Sequence, residues 1–221
     1  MRYEDWEPTY LEILEDFGFS REEDERAARM LVDLAKRKSL CFEECLRQAI
    51  GSTATVCGHG PNLEADLALI GPIGSIFAAD GATGVLMRSK IRPDIVVTDL
   101  DGEIAPQQLA NRQGAIAVLH AHGDNIARLK SAVPGFVGRV TLTTQSKPFG
   151  PLRDFGGFTD GDRAVEMARH FGATRILLLG FDFRNPRPKA GSDDAIKRRK
   201  LKWAERIIFE RNPPQVSLLT P

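Results

Sequence analysis

Pro93-Asp94-Ile95-Val96-Val97-Thr98-Asp99-Leu100-Asp101-Gly102 is a short β-branched run that stops in two acids and a glycine. It is too short for a helix, and a strand without polar alternation is one covered on both faces. Working outward, similar runs recur at 53–57, 75–79, 115–120, 139–143 and 175–179, beside the quoted strand at 94–98. Segments of helical texture lie between them, at 61–70, 81–88, 105–112, 125–131 and 160–171. A helix at 194–210 and a strand near 216–219 close the chain. This alternation predicts an α/β fold, a mostly parallel sheet with helices on both faces.

Residues 1–50 read differently. Leu11, Ile13, Leu14 and Phe17 share a helical face, Ser20 and Glu23 form a capping-box pair, and Ala27, Met30, Leu31 and Leu34 repeat at helical spacing. The expected organisation is therefore a helical N-terminal segment, 1–50, ahead of an α/β domain, 51–221. The apolar faces of that segment either cap the domain's own core or support a homodimer, with a lean towards the dimer. Cys41 and Cys45 sit four apart with no second Cys or His pair. They read as small buried hydrophobes rather than metal ligands, and a disulfide is not expected.

Lys plus Arg and Asp plus Glu each number 30 of 221 residues, so the formal net charge is zero. This leaves no overall basic field for nucleic acid. A hydrophobic fraction of 42% beside 27% charged residues is globular composition. No apolar block, Ile176-Leu177-Leu178-Leu179 among them, comes near the roughly 18 residues of a membrane span. The charged, aromatic start Met1-Arg2-Tyr3-Glu4-Asp5-Trp6 does not resemble a secretory signal. These features predict a cytoplasmic protein with no membrane and no nucleic-acid partner.

In an open parallel sheet, ligands bind outside the carboxyl ends of the strands. The runs are followed in turn by Gly58-His59-Gly60-Pro61-Asn62, Asp80-Gly81, Asp99-Leu100-Asp101-Gly102, His122-Gly123-Asp124-Asn125, Gln145-Ser146-Lys147 and Gly180-Phe181-Asp182. Parallel strands would gather these groups on one rim. So many carboxylates call for a cation, and Mg²⁺, which takes oxygen ligands and bridges carboxylates to phosphates, suits them. Asp99 and Asp101 are two apart and would point the same way if the strand stayed extended through Leu100. With Asp124, and Asp80 behind, they are the expected metal ligands. Gly58, Gly60, Pro61 and Asn62, with Pro61 at the first position of a helix, form a candidate phosphate cradle. Lys147, Arg163 and the basic stretch from Arg187-Pro188-Lys189 to Lys197-Arg198-Arg199-Lys200-Lys202 could balance a polyphosphate. Pro186, Pro188 and Gly191 give that stretch the look of an arm closing over the ligand.

The Asp99-Leu100-Asp101 pair also looks like the nucleophile and acid of haloacid-dehalogenase-type phosphatases. There, however, the motif comes early in the domain, and here strands precede it. Pro93-Asp94 leading to Asp99-Leu100-Asp101, after Asp80-Gly81, resembles thiamin pyrophosphokinases. The closer resemblance is to their distant relatives, the archaeal 6-hydroxymethyl-7,8-dihydropterin pyrophosphokinases. It rests on Gly58-His59-Gly60-Pro61-Asn62-Leu63, Val97 to Gly102, His120-Ala121-His122-Gly123-Asp124-Asn125, Gly157 to Ala164, Gly180-Phe181-Asp182-Phe183 and Lys200-Leu201, over residues 50 to 205. His59 and Asn62 depart from the expected Gly-x-Gly-Pro-Ser pattern.

The resemblance implies a Rossmann-like, thiamin-pyrophosphokinase-like catalytic domain. It implies transfer of the β,γ-diphosphate of ATP to a pterin hydroxymethyl group with release of AMP, feeding folate or tetrahydromethanopterin synthesis. Asp99, Asp101 and Asp124 would hold Mg²⁺, and His122 or Asp124 would orient or deprotonate the alcohol. Lys147, Lys197 and Lys200 would bind ATP, and Asn125, Phe158 and Asp160, within the segment from Phe155, would meet the pterin. Thiamin kinase, phosphatase and a noncatalytic nucleotide-binding regulator are the alternatives.

Overall fold

A computed structural model describes residues 2–188 and 193–221. Lys189 and Gly191 of the expected basic arm lie outside the described residues. The chain enters through α1 (Tyr3–Phe17) and α2 (Arg21–Leu34), then β1 (Ser39–Leu40) and α3 (Glu43–Ala49). Alternation follows: β2 (Thr53–Cys57), α4 (Leu63–Leu69), β3 (Ser75–Ala79), α5 (Ala82–Arg88), β4 (Ile95–Thr98), α6 (Ile104–Arg112), β5 (Ile116–Ala121), α7 (Ile126–Ala132) and β6 (Arg139–Thr144). The chain ends with β7 (Leu152–Arg153), α8 (Asp160–His170), β8 (Arg175–Leu179), α9 (Asp194–Glu210) and β9 (Ser217–Leu219).

Every strand pairing is parallel, in the order β1-β6-β5-β4-β3-β2-β8-β9, with β7 also on β6. Alternate side chains of each strand enter different cores, as the two-residue period requires. Ala54, Val56, Phe77, Ile95, Val97, Ile116, Val118, Ile176 and Leu178 pack with α8 and Leu46 of α3. On the other face Ala117, Leu119, Ala121, Val140 and Leu142 meet α2 and α7, and Cys57, Ala78, Leu177 and Leu179 meet α4 and α5. Both faces are therefore dry, which is why the strands read as unbroken apolar runs.

The N-terminal helices cover the protein's own core. Trp6, Tyr10 and Ile13 of α1 pack with Phe158 and Ile207. The Ser20 hydroxyl caps α2, accepting the Glu23 N–H at 3.3 Å. Two local expectations are corrected. Residues 39–40 are a strand rather than part of a helical run. The β6 edge captures them: the Cys41 N–H donates to the Val140 carbonyl at 2.8 Å, and the Thr141 hydroxyl to the Cys41 carbonyl at 2.7 Å. Cys41 and Cys45 do pack with the core, but as a disulfide rather than as free thiols. Cys41 precedes α3 and Cys45 lies in its first turns, so their Cα atoms are 5.4 Å apart, within bridging range.

Candidate active site

The chain runs outward from β2 through β3, β4 and β5 to β6, then returns through α8 to place β8 on the opposite side of β2. The carboxyl ends of the strands open here onto a cavity of about 820 Å³. Its floor is acidic. Asp80 follows β3, Asp99 follows β4 and Asp160 opens α8, and one carboxylate oxygen of each lies within 4.8 Å of the others.

The turns that present these acids are held from behind. Asp80, at φ +43°, uses one oxygen to accept the Thr98 hydroxyl (2.8 Å), the Gln107 amide (2.8 Å) and the Gly102 N–H (3.2 Å). That leaves Oδ2 available to the floor. Gly102 passes so close that an added Cβ would lie 2.2 Å from Oδ2, so any side chain there would have to displace the Asp80 carboxylate. Leu100 sits at φ +68°, an unusual conformation for a bulky residue, with its side chain buried and its N–H bound to the Thr98 hydroxyl at 2.8 Å. This kink separates Asp99 from Asp101.

Charge is divided unevenly. Burial raises the Asp99 carboxyl, but the hydrogen bond and charge of His122 and the charge of Arg163 outweigh it and hold it near about 2. His122 Nε2 stands 3.2 Å from Asp99 Oδ2. Burial, and then the charges of Asp99 and Asp101, lift Asp80 to about 7. Burial and Asp99 lift Asp160 well above the carboxylate range. Burial first, and the neighbouring anions second, thus favour the protonated form of Asp80 and Asp160, while Asp99 is held ionised.

Arg163 is the internal counter-ion. Its side chain is 2% exposed, with Nη1 3.3 Å from Asp160 Oδ1 and Nη2 2.9 Å from His120 Nε2. Because a guanidinium only donates, His120 Nε2 must accept. Its Nδ1 then carries the proton and donates to the Thr143 hydroxyl, 3.1 Å away. Burial, followed by Arg163, keeps His120 neutral by pushing its pKa well down.

The family described as 6-hydroxymethylpterin diphosphokinase MptE-like matches residues 28–187, well over half of the chain. The chain belongs to the MptE-like family. A 6-hydroxymethyl-7,8-dihydropterin pyrophosphokinase of Methanothermobacter thermautotrophicus is 43% identical, covering 96% of this chain and 97% of its own. A protein of that name from Pyrococcus furiosus is 45% identical over 83% of this chain and 79% of its own, and one from Methanocaldococcus jannaschii is 34% identical over 94% and 95%. Among solved structures, the MAf glycosyltransferase of Magnetospirillum magneticum AMB-1 superposes on 91% of this chain and 36% of that one, with a TM-score of 0.53. At 17% identity that likeness concerns the fold alone. None of these similarities favours the thiamin, phosphatase or regulator alternatives.

The MptE-like site rearranges several expectations. Asp101 and Asp124 line the cavity but stand outside the close trio with Asp99. The reason for Asp101 is the left-handed Leu100, which breaks the extension that would have aligned it. Asp160, expected to meet substrate, belongs to the trio instead. Gly58 and Gly60 line the cavity, but their N–H groups already donate to the Leu179 and Gly180 carbonyls, at 2.8 Å each. Pro61 and Asn62 form a turn ahead of α4, which begins only at Leu63, and the Asn62 amide is bound to Asp66 at 2.8 Å. The expected cradle is thus a continuation of the sheet ladder towards β8.

Asn125 is fully buried and occupied. Its amide donates to the Asp99 and His120 carbonyls, at 2.9 and 2.8 Å, and its oxygen accepts the His122 N–H at 3.2 Å. It shapes the turn and has no group left for a substrate. Phe155 is buried against His170 and Phe171, away from the cavity, whereas Phe158 lines it. Lys147 is exposed beyond β6 and lies outside the cavity lining. Lys197 and Lys200 line it, Lys200 with its ammonium 5.7 Å from the Phe158 ring, while Arg199 turns away to Asp16 at 3.0 Å. Gln107 and Arg128 were missed as contributors, and no motif marks them. His120 stood in the quoted motif from His120 to Asn125, but its role was not read from it.

Three partly buried carboxylates, oxygen donors only, two of them raised by burial and by their neighbours, form a set that fits a hard divalent cation.

Proposed function

We propose that this chain transfers the β,γ-diphosphate of ATP to the hydroxymethyl oxygen of 6-hydroxymethyl-7,8-dihydropterin and releases AMP. The observation that carries the reading is the Asp80–Asp99–Asp160 floor facing Lys197 and Lys200 across one cavity. The names of the three relatives supply the substrates. The cavity volume is in the range of small-molecule sites. Residues 51–221 are the catalytic domain in this reading, completed by segment 1–50.

Asp80 Oδ2, Asp99 and Asp160 would hold Mg²⁺, and Asp101 and Asp124 add to the acidic lining of the same cavity. When bound, the ion neutralises charge on the polyphosphate oxygens. The protein's own residues do the rest. Lys197, Lys200 and Arg128 bind and orient the phosphates. Arg163 and His122 keep Asp99 ionised and in place. Phe158 offers a flat apolar face to the heterocycle. In so loose a transition state, alignment of the alcohol with the β-phosphorus contributes more than proton removal. Asp124 accepts the proton as it leaves, while His122, engaged with Asp99, orients the floor.

Chromatography of the nucleotide products tests the reading. ATP with the pterin alcohol should yield AMP; ADP or free phosphate as sole product would reject it, and thiamin run in parallel should remain unconverted. Lys197→Ala and Lys200→Ala should each raise the KM for ATP about tenfold, with kcat less affected. Unchanged KM in both variants would remove the lysines from the phosphate site.

A pH dependence follows from the raised carboxyls. Asp80 keeps its proton up to about 7, and burial and Asp99 raise Asp160 well above the ordinary carboxylate range, so binding a divalent cation must displace protons. Mg²⁺ affinity should therefore rise with pH from 6 to 8, with proton release measurable by calorimetry in buffers of different ionisation enthalpy. A pH-independent affinity would contradict this arrangement.

A further inference from the structure

The turn that carries His122 is held from two directions. Asn125 braces it from within. From outside, the Gly123 N–H, between His122 and Asp124, donates to Asp24 Oδ1 at 2.8 Å. Asp24 belongs to α2, ninety-nine residues earlier, and is only 2% exposed. Its second oxygen accepts the Tyr10 hydroxyl of α1 at 2.7 Å and the Gln145 amide, just past β6, at 2.8 Å. The Gln145 carbonyl in turn accepts the Trp6 indole N–H at 3.1 Å. Only an acceptor with several lone pairs can take three donors converging from separate elements, and a carboxylate is such a group.

Packing points the same way. A Cβ on Gly123 would stand 2.8 Å from the Cβ of Glu23, the residue before Asp24. The turn is pressed onto α2 as closely as backbone permits. A helix that merely covered the sheet would need neither this contact nor a buried carboxylate at its centre.

We propose that Asp24 is a positioning residue of the active site, setting the His122–Asp124 turn so that the His122 ring meets Asp99. The N-terminal helices thereby take part in the chemistry, through α2 and the Tyr10 and Gln145 side chains that fix Asp24. The kinetic consequence rests on the pyrophosphokinase reading; the structural one does not.

Three variants separate this role from plain stability. Asp24→Ala removes the acceptor, and Gly123→Ala pushes the turn off α2 while leaving Asp24 intact. Asp24→Asn keeps one oxygen for Gly123, and its amide can meet Tyr10 and a rotated Gln145. In folded protein, Asp24→Ala and Gly123→Ala should lower kcat by about 10–100-fold with the KM for ATP nearly unchanged, and Asp24→Asn should recover most of the loss. At fixed pH, without metal or nucleotide, the His122 ring signals of histidine-labelled protein should move in the first two variants. Those of His170, at the far end of α8, should stay. Wild-type kcat in Asp24→Ala and Gly123→Ala, or an unmoved His122 signal, would overturn the proposal. Should Asp24→Ala fail to fold, Gly123→Ala and Asp24→Asn decide the matter. Should the wild type itself fail to convert ATP and the pterin alcohol, the substrate assignment falls, and the His122 signal alone judges Asp24.

Discussion

Asp80→Asn and Asp99→Asn should each lower kcat/KM by more than about 10²-fold. The melting temperature of Asp80→Asn should remain at or above that of the wild type. Asp99→Asn, which gives up the His122 and Arg163 interactions that hold its carboxyl down, should melt lower. Activity and stability separate at Asp80 because the acidic floor is costly to the empty fold. Asp80→Asn is the cleaner variant. An amide oxygen can still accept the Thr98, Gln107 and Gly102 donors that now meet Asp80 Oδ1, so the turn survives and only the oxygen facing the floor changes.

The sign of the stability effect follows from the titration of Asp80. Its carboxyl is raised to about 7 by burial and by Asp99 and Asp101, whereas in the unfolded chain it ionises in the ordinary carboxylate range. The folded protein without metal thus holds a proton that the unfolded chain has lost, and its stability falls as pH rises through that window. Asp80→Asn removes this loss. Thermal unfolding at pH 5 and pH 8 should show the variant gaining on the wild type at the higher pH, and calorimetry should show weakened Mg²⁺ or Mn²⁺ binding. Wild-type turnover in both variants would dismiss the floor as the metal site.

Arg163→Met should destabilise the protein by about 3–5 kcal/mol, as expected when a buried charge network loses its partner. For a chain of this size that is a fall in melting temperature on the order of 10 °C. The guanidinium faces Asp160 and also donates to His120 and, at 3.3 Å, to the Gly157 and Phe158 carbonyls. Methionine fills the space but leaves Asp99 and Asp160 without their cation. The loss should shrink at low pH, where Asp99, no longer held down by Arg163, takes up a proton. Arg163→Lys should restore only part of it, since one ammonium cannot span Asp160 and His120 with a planar fork. A melting temperature within experimental error of the wild type would show that the acids are balanced elsewhere.

Much of the architecture was legible in the residues because both faces of the sheet are covered. Burial on two sides produces continuous apolar runs, and the predicted 53–57, 75–79 and 175–179 coincide with β2, β3 and β8. The short strands β1 and β7 were not legible. Two residues carry no periodicity, and pairing with β6 alone makes them strands. The Cys41–Cys45 bridge escaped for a similar reason: spacing by four is shared by helix faces, metal pairs and bridges, and only the start of α3 between them selects one.

The amino-acid order alone determined that acids, glycines and histidines would end the strands, and parallel pairing made it inevitable that they would share a rim. Which acids stand together was decided in three dimensions. A left-handed Leu100 turns Asp101 aside, and the start of α8, 61 residues from Asp99 along the chain, brings Asp160 beside it. Asn125 and Gly58 looked free in the sequence, yet their polar groups are spent on backbone partners. The physical reason is common to these cases. Sequence pattern reports what each residue buries or exposes, whereas backbone dihedrals and long-range hydrogen bonds decide which polar atoms remain available to a ligand.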